Sequence, residues 1–278
     1  MPYKLLALDV DGTLLDSRNV LRPRVRAAVR AVAAAGCTVA LATGRRYASA
    51  IEVAAELDLD TPLILHNGAL IRHALSGTVL HEMPIDLPAA RFVAETIADA
   101  GSQVIVFPPP GAGELILAGP TTLDGDLAAC YLDRCGATVE RRPLDALFDG
   151  VPPLTIVVMD DEAHLDALGA RLVGGEGYTL TRNTFPLWDR AFHVLDVLAA
   201  GCSKAAGLRA LAGQLGIALE DTVAVGDHWN DVEMIEAAGL GIAMGNAPPG
   251  VQARADRVTG SCEAEGLADA LASLSFGG

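Results

Sequence analysis

Three short apolar runs near the start of the chain constrain its fold more than any other feature. They lie within Lys4–Val10, Thr38–Thr43 and Pro62–Asn67 and read as strands. Helical segments separate them: Pro23–Ala35, which Gly36 stops, and Tyr47–Leu57. A strand that is apolar along its whole length has no face to offer water. Repeated between helices, such strands form a parallel sheet covered on both sides. Leu70–His73 and Val79–Glu82, around Ser76-Gly77, read as a hairpin.

The alternation stops after about Pro84 and resumes at Ser203. The resumed part reads as a helix over Ser203–Leu215, a strand over Thr222–Val225, a helix over Asp231–Ala238, a strand over Gly241–Met244 and a helix over Gly266–Leu274. Between lies a second α+β unit, with helices at Pro88–Ala100 and Asp126–Cys135 and strands at Gln103–Phe107, Leu115–Leu117 and Leu154–Met159. The loop "PPPGAG" (108–113) fits no βα repeat. The expected architecture is therefore α/β: a doubly wound, Rossmann-like parallel sheet built from residues 1–83 and 190–278. An α+β unit of residues 84–189 is inserted into it. Ligands of such sheets sit outside the carboxyl ends of the strands, at the topological switch point, where an inserted unit could act as a cover.

Composition narrows the partners. Of 278 residues, 51% are hydrophobic, and mean hydropathy is +0.35, ample for a packed core. The net charge of −15 disfavours nucleic acid and acidic membranes, whose phosphates call for a basic surface. Lys4 and Lys204 are the only lysines; every other cation is arginine, which makes Lys204 conspicuous. Five cysteines show no zinc spacing and read as free thiols of a reducing compartment. Asp9 interrupts the N-terminal apolar run too early for a signal peptide, and no apolar stretch has the length of a membrane span. The expectation is a soluble cytoplasmic protein acting on small molecules, its oligomeric state open.

The strand endings carry the chemistry. The first closes in "DVDGT" (Asp9–Thr13), the second in "ATGR" (Ala42–Arg45), and the Thr222 strand in "GDHWND" (Gly226–Asp231). A lone Asp-x-Asp after a strand is usually a turn. Three polar clusters at one edge of one sheet are not explained that way. Asp9, Asp11, Asp227 and Asp231 would gather up to four carboxylates, and like charges so close cannot all ionise unpaired. A hard divalent cation resolves this, and oxygen-only ligands with room for water favour Mg²⁺. Phosphate oxygens complete such an octahedron. Thr43, the Gly44 amide and Lys204 supply hydroxyl, N–H and ammonium donors for an anion.

In order, these residues resemble the four motifs of the haloacid dehalogenase superfamily of phosphatases. "HNGA" (66–69) and "IAMGNA" (242–247) resemble its Cof-type branch, which carries a large α/β cap. The resemblance implies that Asp9 is the nucleophile and forms an aspartyl-phosphate. Asp11 would be general acid and base, and would also contribute its backbone carbonyl to the Mg²⁺ shell. Gly12 would allow the tight turn; Thr43 and Lys204 would bind the transferring group. Asp227 would ligate Mg²⁺ directly and Asp231 directly or through water. Asn230 would lie beside the phosphate and Asn67 on the substrate side.

The implied activity is hydrolysis of a small phosphate monoester, such as a sugar phosphate or a phosphorylated cofactor. A phosphomutase or phosphotransferase on the same core, or a non-catalytic sensor of phosphometabolites, are the alternatives. Two departures stand out: Ala205 follows Lys204 where the branch usually has glycine, and His66 replaces a small or polar residue. His66 is expected to pack at a strand end, and His228 and Trp229 at a loop rim. Arg45 reaches either substrate or a surface partner. In the middle unit, Arg182, Asn183, Trp188 and His193 either read a leaving group or mark a re-entry hinge; the hinge is expected. The acidic stretches at 123–126 and 159–162 read as solvated turns.

Overall fold

The computed structural model describes residues 2–111, 114–120, 127–187 and 190–277. The chain divides into two compact units, Met1–His81 with Ser203–Gly278, and Glu82–Cys202.

The first unit begins β1 (Leu5–Leu8), α1 (Pro23–Ala34), β2 (Thr38–Ala42), α2 (Tyr47–Leu57), β3 (Pro62–Leu65), β4 (Leu70–His73) and β5 (Val79–Glu82). The second unit runs α3 (Leu87–Asp99), β6 (Ile105–Phe107), β7 (Leu115–Ala118), α4 (Leu127–Arg134), β8 (Thr138–Arg141), β9 (Thr155–Asp160), α5 (Glu162–Leu172), β10 (Tyr178–Leu187) and β11 (Arg190–Ala199). The first unit then resumes with α6 (Lys204–Leu215), β12 (Thr222–Gly226), α7 (Val232–Ala237), β13 (Leu240–Ala243), α8 (Pro249–Gln252), β14 (Arg257–Val258) and α9 (Gly266–Ala272).

The larger sheet has the order β14-β13-β12-β1-β2-β3-β4-β5. Its pairings are parallel from β14 through β3, and β4 runs antiparallel to β3. β1 is fully buried along its length, as its apolar sequence requires. Leu5 and Ala7 pack with Ala40, Ala42 and Ile64 against Ala205, Leu208 and Leu211 of α6 and Met234 of α7. Leu6 and Leu8 point to the opposite face and are equally buried, so both faces are covered. From β1 the chain proceeds outward through β2 and β3 on one side, and through β12, β13 and β14 on the other. Strand order therefore reverses beside β1, and the carboxyl ends of β1 and β12 flank that switch point.

The second unit holds a six-stranded sheet of order β10-β11-β9-β6-β7-β8. α4 packs on it through Ala128, Tyr131 and Leu132, against Ile105, Phe107, Ile116 and Val157.

Two readings change. Residues 190–199 do not belong to the doubly wound sheet: β11 pairs with β9 and β10, and the return comes after Cys202. β10 and β11 pair antiparallel, with Pro186 tolerated because β10 is an edge strand. Residues 159–162 are not a solvated turn. Asp160 ends β9, and Asp161 caps α5 by accepting the His164 N–H at 2.8 Å. The acidic stretch 123–126, Trp188 and the end of "PPPGAG" lie outside the described residues. No described helix is long and apolar enough to cross a membrane.

Candidate active site

Each of the three polar clusters follows a strand of one parallel run, so they open at one edge of the sheet. The Asp9 N–H still donates to Val225 O at 2.9 Å, continuing the β1–β12 ladder. Beyond it the 10–15 segment turns tightly, with Leu15 N–H donating to Val10 O and Gly12 N–H to Leu15 O. Gly12 has φ +82°, and a Cβ there would lie 2.3 Å from Asp227 Oδ2. Only glycine lets the Asp227 carboxylate come so close to this turn.

Lys204 is the first residue of α6, whose N-cap Ser203 accepts the Ala206 N–H. A cation at a helix N-terminus opposes the helix dipole, so something else must hold it there. Its Nζ donates at 2.6 Å to Asp9 Oδ1 and at 2.6 Å to Asp231 Oδ1, in a setting where Lys204 is only 1% exposed. Asp231 Oδ2 accepts the N–H groups of Asp227 and His228 at 3.0 and 2.9 Å. Asp231 thus fixes both the ammonium and the turn that carries Asp227. The approach of α6 to β3 depends on Gly207, whose Cβ would meet Ile64 Cγ2 at 2.5 Å. Ala205, where the Cof branch has glycine, is simply buried in the core.

Oxygen atoms of Asp9, Asp227 and Asp231 lie within 4.8 Å of one another. The Asp11 carboxylate is not among them. It is held outside the cluster by a two-pronged pair with Arg45, Nε to Oδ2 at 2.9 Å and Nη2 to Oδ1 at 2.6 Å. Three of the four expected carboxylates therefore gather, and the fourth finds a cation of its own.

The turns after β2 and β3 interlock. Thr43 N–H donates to Ile64 O and Asn67 N–H to Thr43 O, while Thr43 Oγ1 accepts the Arg45 N–H at 3.1 Å. The buried Thr43 hydroxyl keeps its own proton to donate. Asn230 Nδ2 donates to Asn67 Oδ1 at 3.1 Å, and Gly44 is closely backed by the Asn67 amide. Asp9, Gly12, Lys204, Asp227 and Asp231 thus form one set of direct contacts, and Thr43, Gly44, Asn67 and Asn230 a second at the same sheet edge, linked to the first along the chain at Asn230 and Asp231, while the Asp11 carboxylate pairs with Arg45.

Burial, then the neighbouring Asp231, raise the Asp9 carboxyl well above the usual carboxylate range, with Lys204 pulling the other way. The same two causes push Asp227 up to about 7. Burial works against the charge of Lys204, but Asp231 and Asp9 outweigh it and raise its pKa. Three carboxylates against one ammonium leave two negative charges, which a divalent cation would cancel. The donor set is all oxygen, as a hard cation requires. Two oxygens on opposite sides of Mg²⁺ are about 4.2 Å apart, so atoms that lie within 4.8 Å of one another need draw in only slightly to ligate it. The residues fit such an ion.

His66 is buried at φ +48° and held neutral, its pKa lowered to about 4 by burial and then by Arg46. It is a packed residue at the strand end. Trp229, 55% exposed, is a rim residue. In the second unit, Arg182 pairs with Asp166 and donates to Glu162 O, and Asn183 Nδ2 donates to Asp196 Oδ2 at 2.7 Å. His193 sits in β11 opposite Asp160. Sequence reading passed over the Arg45–Asp11 pair and Asn246, whose Nδ2 donates to Asp227 Oδ2 at 2.9 Å. The signal for Asn246 was its place in "MGNA", directly after a strand of the same parallel run.

The sequence model of the haloacid dehalogenase-like hydrolases matches residues 6–271. The chain belongs to that family. It is therefore an enzyme of a hydrolase family that contains named phosphatases. Stress response protein YhaX of Bacillus subtilis is 31% identical over 96% of this chain and 92% of its own. HMP-PP phosphatase of Klebsiella pneumoniae is 31% identical over 96% of this chain and 94% of its own. Among solved structures, a haloacid dehalogenase-like hydrolase from B. subtilis superposes with TM-score 0.80 at 28% identity, covering 97% of this chain and 99% of the other. The family's Cof-type, doubly wound α/β fold is the one expected from the strand pattern and motifs.

Proposed function

We propose that this chain is a Mg²⁺-dependent phosphatase that hydrolyses small phosphate monoesters through a phosphoryl group carried on Asp9. The observation that carries the reading is the fully buried Lys204 ammonium between Asp9 and Asp231, 2.6 Å from each, at a sheet's switch point. A structural ion pair would not call for Asp227 as a third carboxylate beside it. A phosphate-binding site does, because a cation and an anion then complete the charge balance. That relatives include HMP-PP phosphatase and a ribitylaminouracil phosphatase supports a small phosphorylated metabolite as substrate.

The ion would be held by Asp9 and Asp227, with Asp231 behind them and the Asp11 carbonyl in its shell; it supplies positive charge to the phosphoryl oxygens. The protein's own residues do the rest. A carboxylate oxygen of Asp9 attacks phosphorus while the bond to the leaving oxygen breaks. Asp11 gives the leaving alcohol its proton, then takes one from the water that attacks the phosphoryl group, releasing inorganic phosphate and restoring Asp9. Lys204, the Thr43 hydroxyl and the turn amides hold the transferring oxygens in place. The Arg45 pair keeps Asp11 outside the acidic cluster, so proton donation requires Asp11 to leave Arg45.

In this reading Met1–His81 and Ser203–Gly278 form the catalytic core and Glu82–Cys202 the cap. Net negative charge and five free cysteines support a cytoplasmic setting and small-molecule rather than nucleic-acid or membrane partners. The test is phosphate release from a panel of phosphorylated metabolites with Mg²⁺ and with EDTA. Release that needs the metal and vanishes in Asp9→Asn is expected. Full turnover by a folded Asp9→Asn, or phosphate passed to an added acceptor in place of water, would overturn it.

A further inference from the structure

Asp227 has a partner that the proposed chemistry does not use. β13 ends at Ala243, paired with Gly226, so the chain just beyond runs beside the turn that carries Asp227. Gly245 lets this stretch pass close to the 259–261 segment: a Cβ would lie 2.8 Å from Thr259 O and 2.9 Å from Ser261 N. Asn246 is thereby set between two loops. Its Nδ2 donates at 2.9 Å to Gly12 O and at 2.9 Å to Asp227 Oδ2, and its Oδ1 accepts the Cys262 N–H at 2.9 Å.

A primary amide offers two N–H donors and one carbonyl acceptor. Here both donors meet acceptors and the carbonyl meets a donor. The flipped amide would set its oxygen against two acceptors and its NH₂ against an N–H, so only one orientation is possible. The contact reaches Asp227 at Oδ2, the oxygen that the absent Gly12 side chain lets approach. The same turn is tied further to the first loop, since Glu263 accepts the Ser17 N–H at 3.0 Å.

We propose that Asn246 is a positioning residue that presets the Asp227 carboxylate, together with the Gly12 turn, for a divalent cation. The inference rests on the reading of Asp9 and Asp227 as the cation site. One oxygen of Asp227 is fixed by Asn246, which turns the carboxylate toward Asp9 before any ion arrives. The orientation is inherited from the Cys262 backbone, so a loop remote in sequence sets the geometry of the strand-end carboxylate. Partners that orient ligating carboxylates typically contribute 10–100-fold to metal affinity.

Asn246 is exposed, so truncating it admits water and leaves no core cavity. The experiment is calorimetric titration of Mg²⁺, without substrate, into wild type, Asn246→Ala, Asn246→Ser and Asp227→Asn, with urea unfolding of each in EDTA. The expected result is a roughly 10–100-fold weaker Mg²⁺ dissociation constant in both Asn246 variants, with metal-free urea midpoints close to wild type. Wild-type affinity in either folded variant overturns the inference, as does a weakening matched by an equal loss of metal-free stability. If wild type binds no Mg²⁺, or Asp227→Asn binds it equally well, the cation reading itself falls and the inference falls with it.

Discussion

Replacing Lys204 by methionine removes a buried charge while keeping the length of the side chain. The ammonium is 1% exposed and lies 2.6 Å from a carboxylate oxygen on either side. Breaking a buried pair by deleting one partner costs about 3–5 kcal/mol, because the remaining charge is left uncompensated. In this site the deletion strands two carboxylates, which would place the cost at the upper end. Protonation sets a ceiling. Neutralising one carboxylate of ordinary pKa near 3.9 costs about 1.4 kcal/mol for each pH unit above that value. That is about 5–6 kcal/mol at pH 8 and about 2 kcal/mol at pH 5.5. A stranded carboxylate has a folded pKa above its unfolded one, so the folded variant binds more protons than its unfolded chain. Its stability is then greatest at low pH and is lost as pH rises through the folded value. Lys204→Met should accordingly be about 3–5 kcal/mol less stable than wild type at pH 8 and only about 2 kcal/mol less stable at pH 5.5. Urea denaturation followed by circular dichroism in EDTA measures both, and comparison at each pH cancels groups common to the two proteins. A loss below about 1 kcal/mol at pH 8, or one equal at both pH values, would refute the buried-pair argument.

Gly12→Ala combines a strained φ of +82° with a Cβ 2.3 Å from Asp227 Oδ2, so the carboxylate must move. Phosphatase activity should fall by more than about 100-fold, for a stability loss of only about 1–2 kcal/mol; retention of half the activity would contradict it. His66, held near pKa 4, stays neutral in the fold while the unfolded chain takes up a proton near 6.5. Stability is therefore complete above pH 6.5 and declines toward pH 4 by up to about 3 kcal/mol; His66→Asn, which tolerates the positive φ, should flatten that slope in pH-dependent urea titrations. Arg45→Met breaks a half-exposed pair and should cost less than about 1 kcal/mol of stability. Its turnover should fall more for alkyl phosphates than for nitrophenyl phosphate, since only a poor leaving group needs the Asp11 proton; an equal fall for both would argue against the role given to Asp11.

What could be read from sequence follows from where polar residues interrupt apolar ones. Asp9, Thr43 and Asp227 follow strands that are otherwise featureless and buried, so both the sheet and the edge where its polar clusters gather were visible at once. Lys204 stood out because lysine is rare in this chain, and the structure confirms the anomaly in physical terms: it sits at the wrong end of a helix for its charge. The second unit was harder. α5 carries Leu165, Leu168 and Leu172 at helical spacing, all buried, but the acidic run before it reads as a turn and hides the N-cap that Asp161 forms. Residues 190–199 fell on the wrong side of the expected boundary because pairing between distant segments is not encoded in local pattern. The same limit explains Arg45 and Asn246. Neither differs from other arginines and asparagines until the fold brings Asp11 and Asp227 against them, and for Asn246 the decisive partner is a backbone N–H sixteen residues further on. Residues that perform chemistry break local rules and are visible in one dimension. Residues that orient them obey local rules and become visible only through the contacts the topology creates.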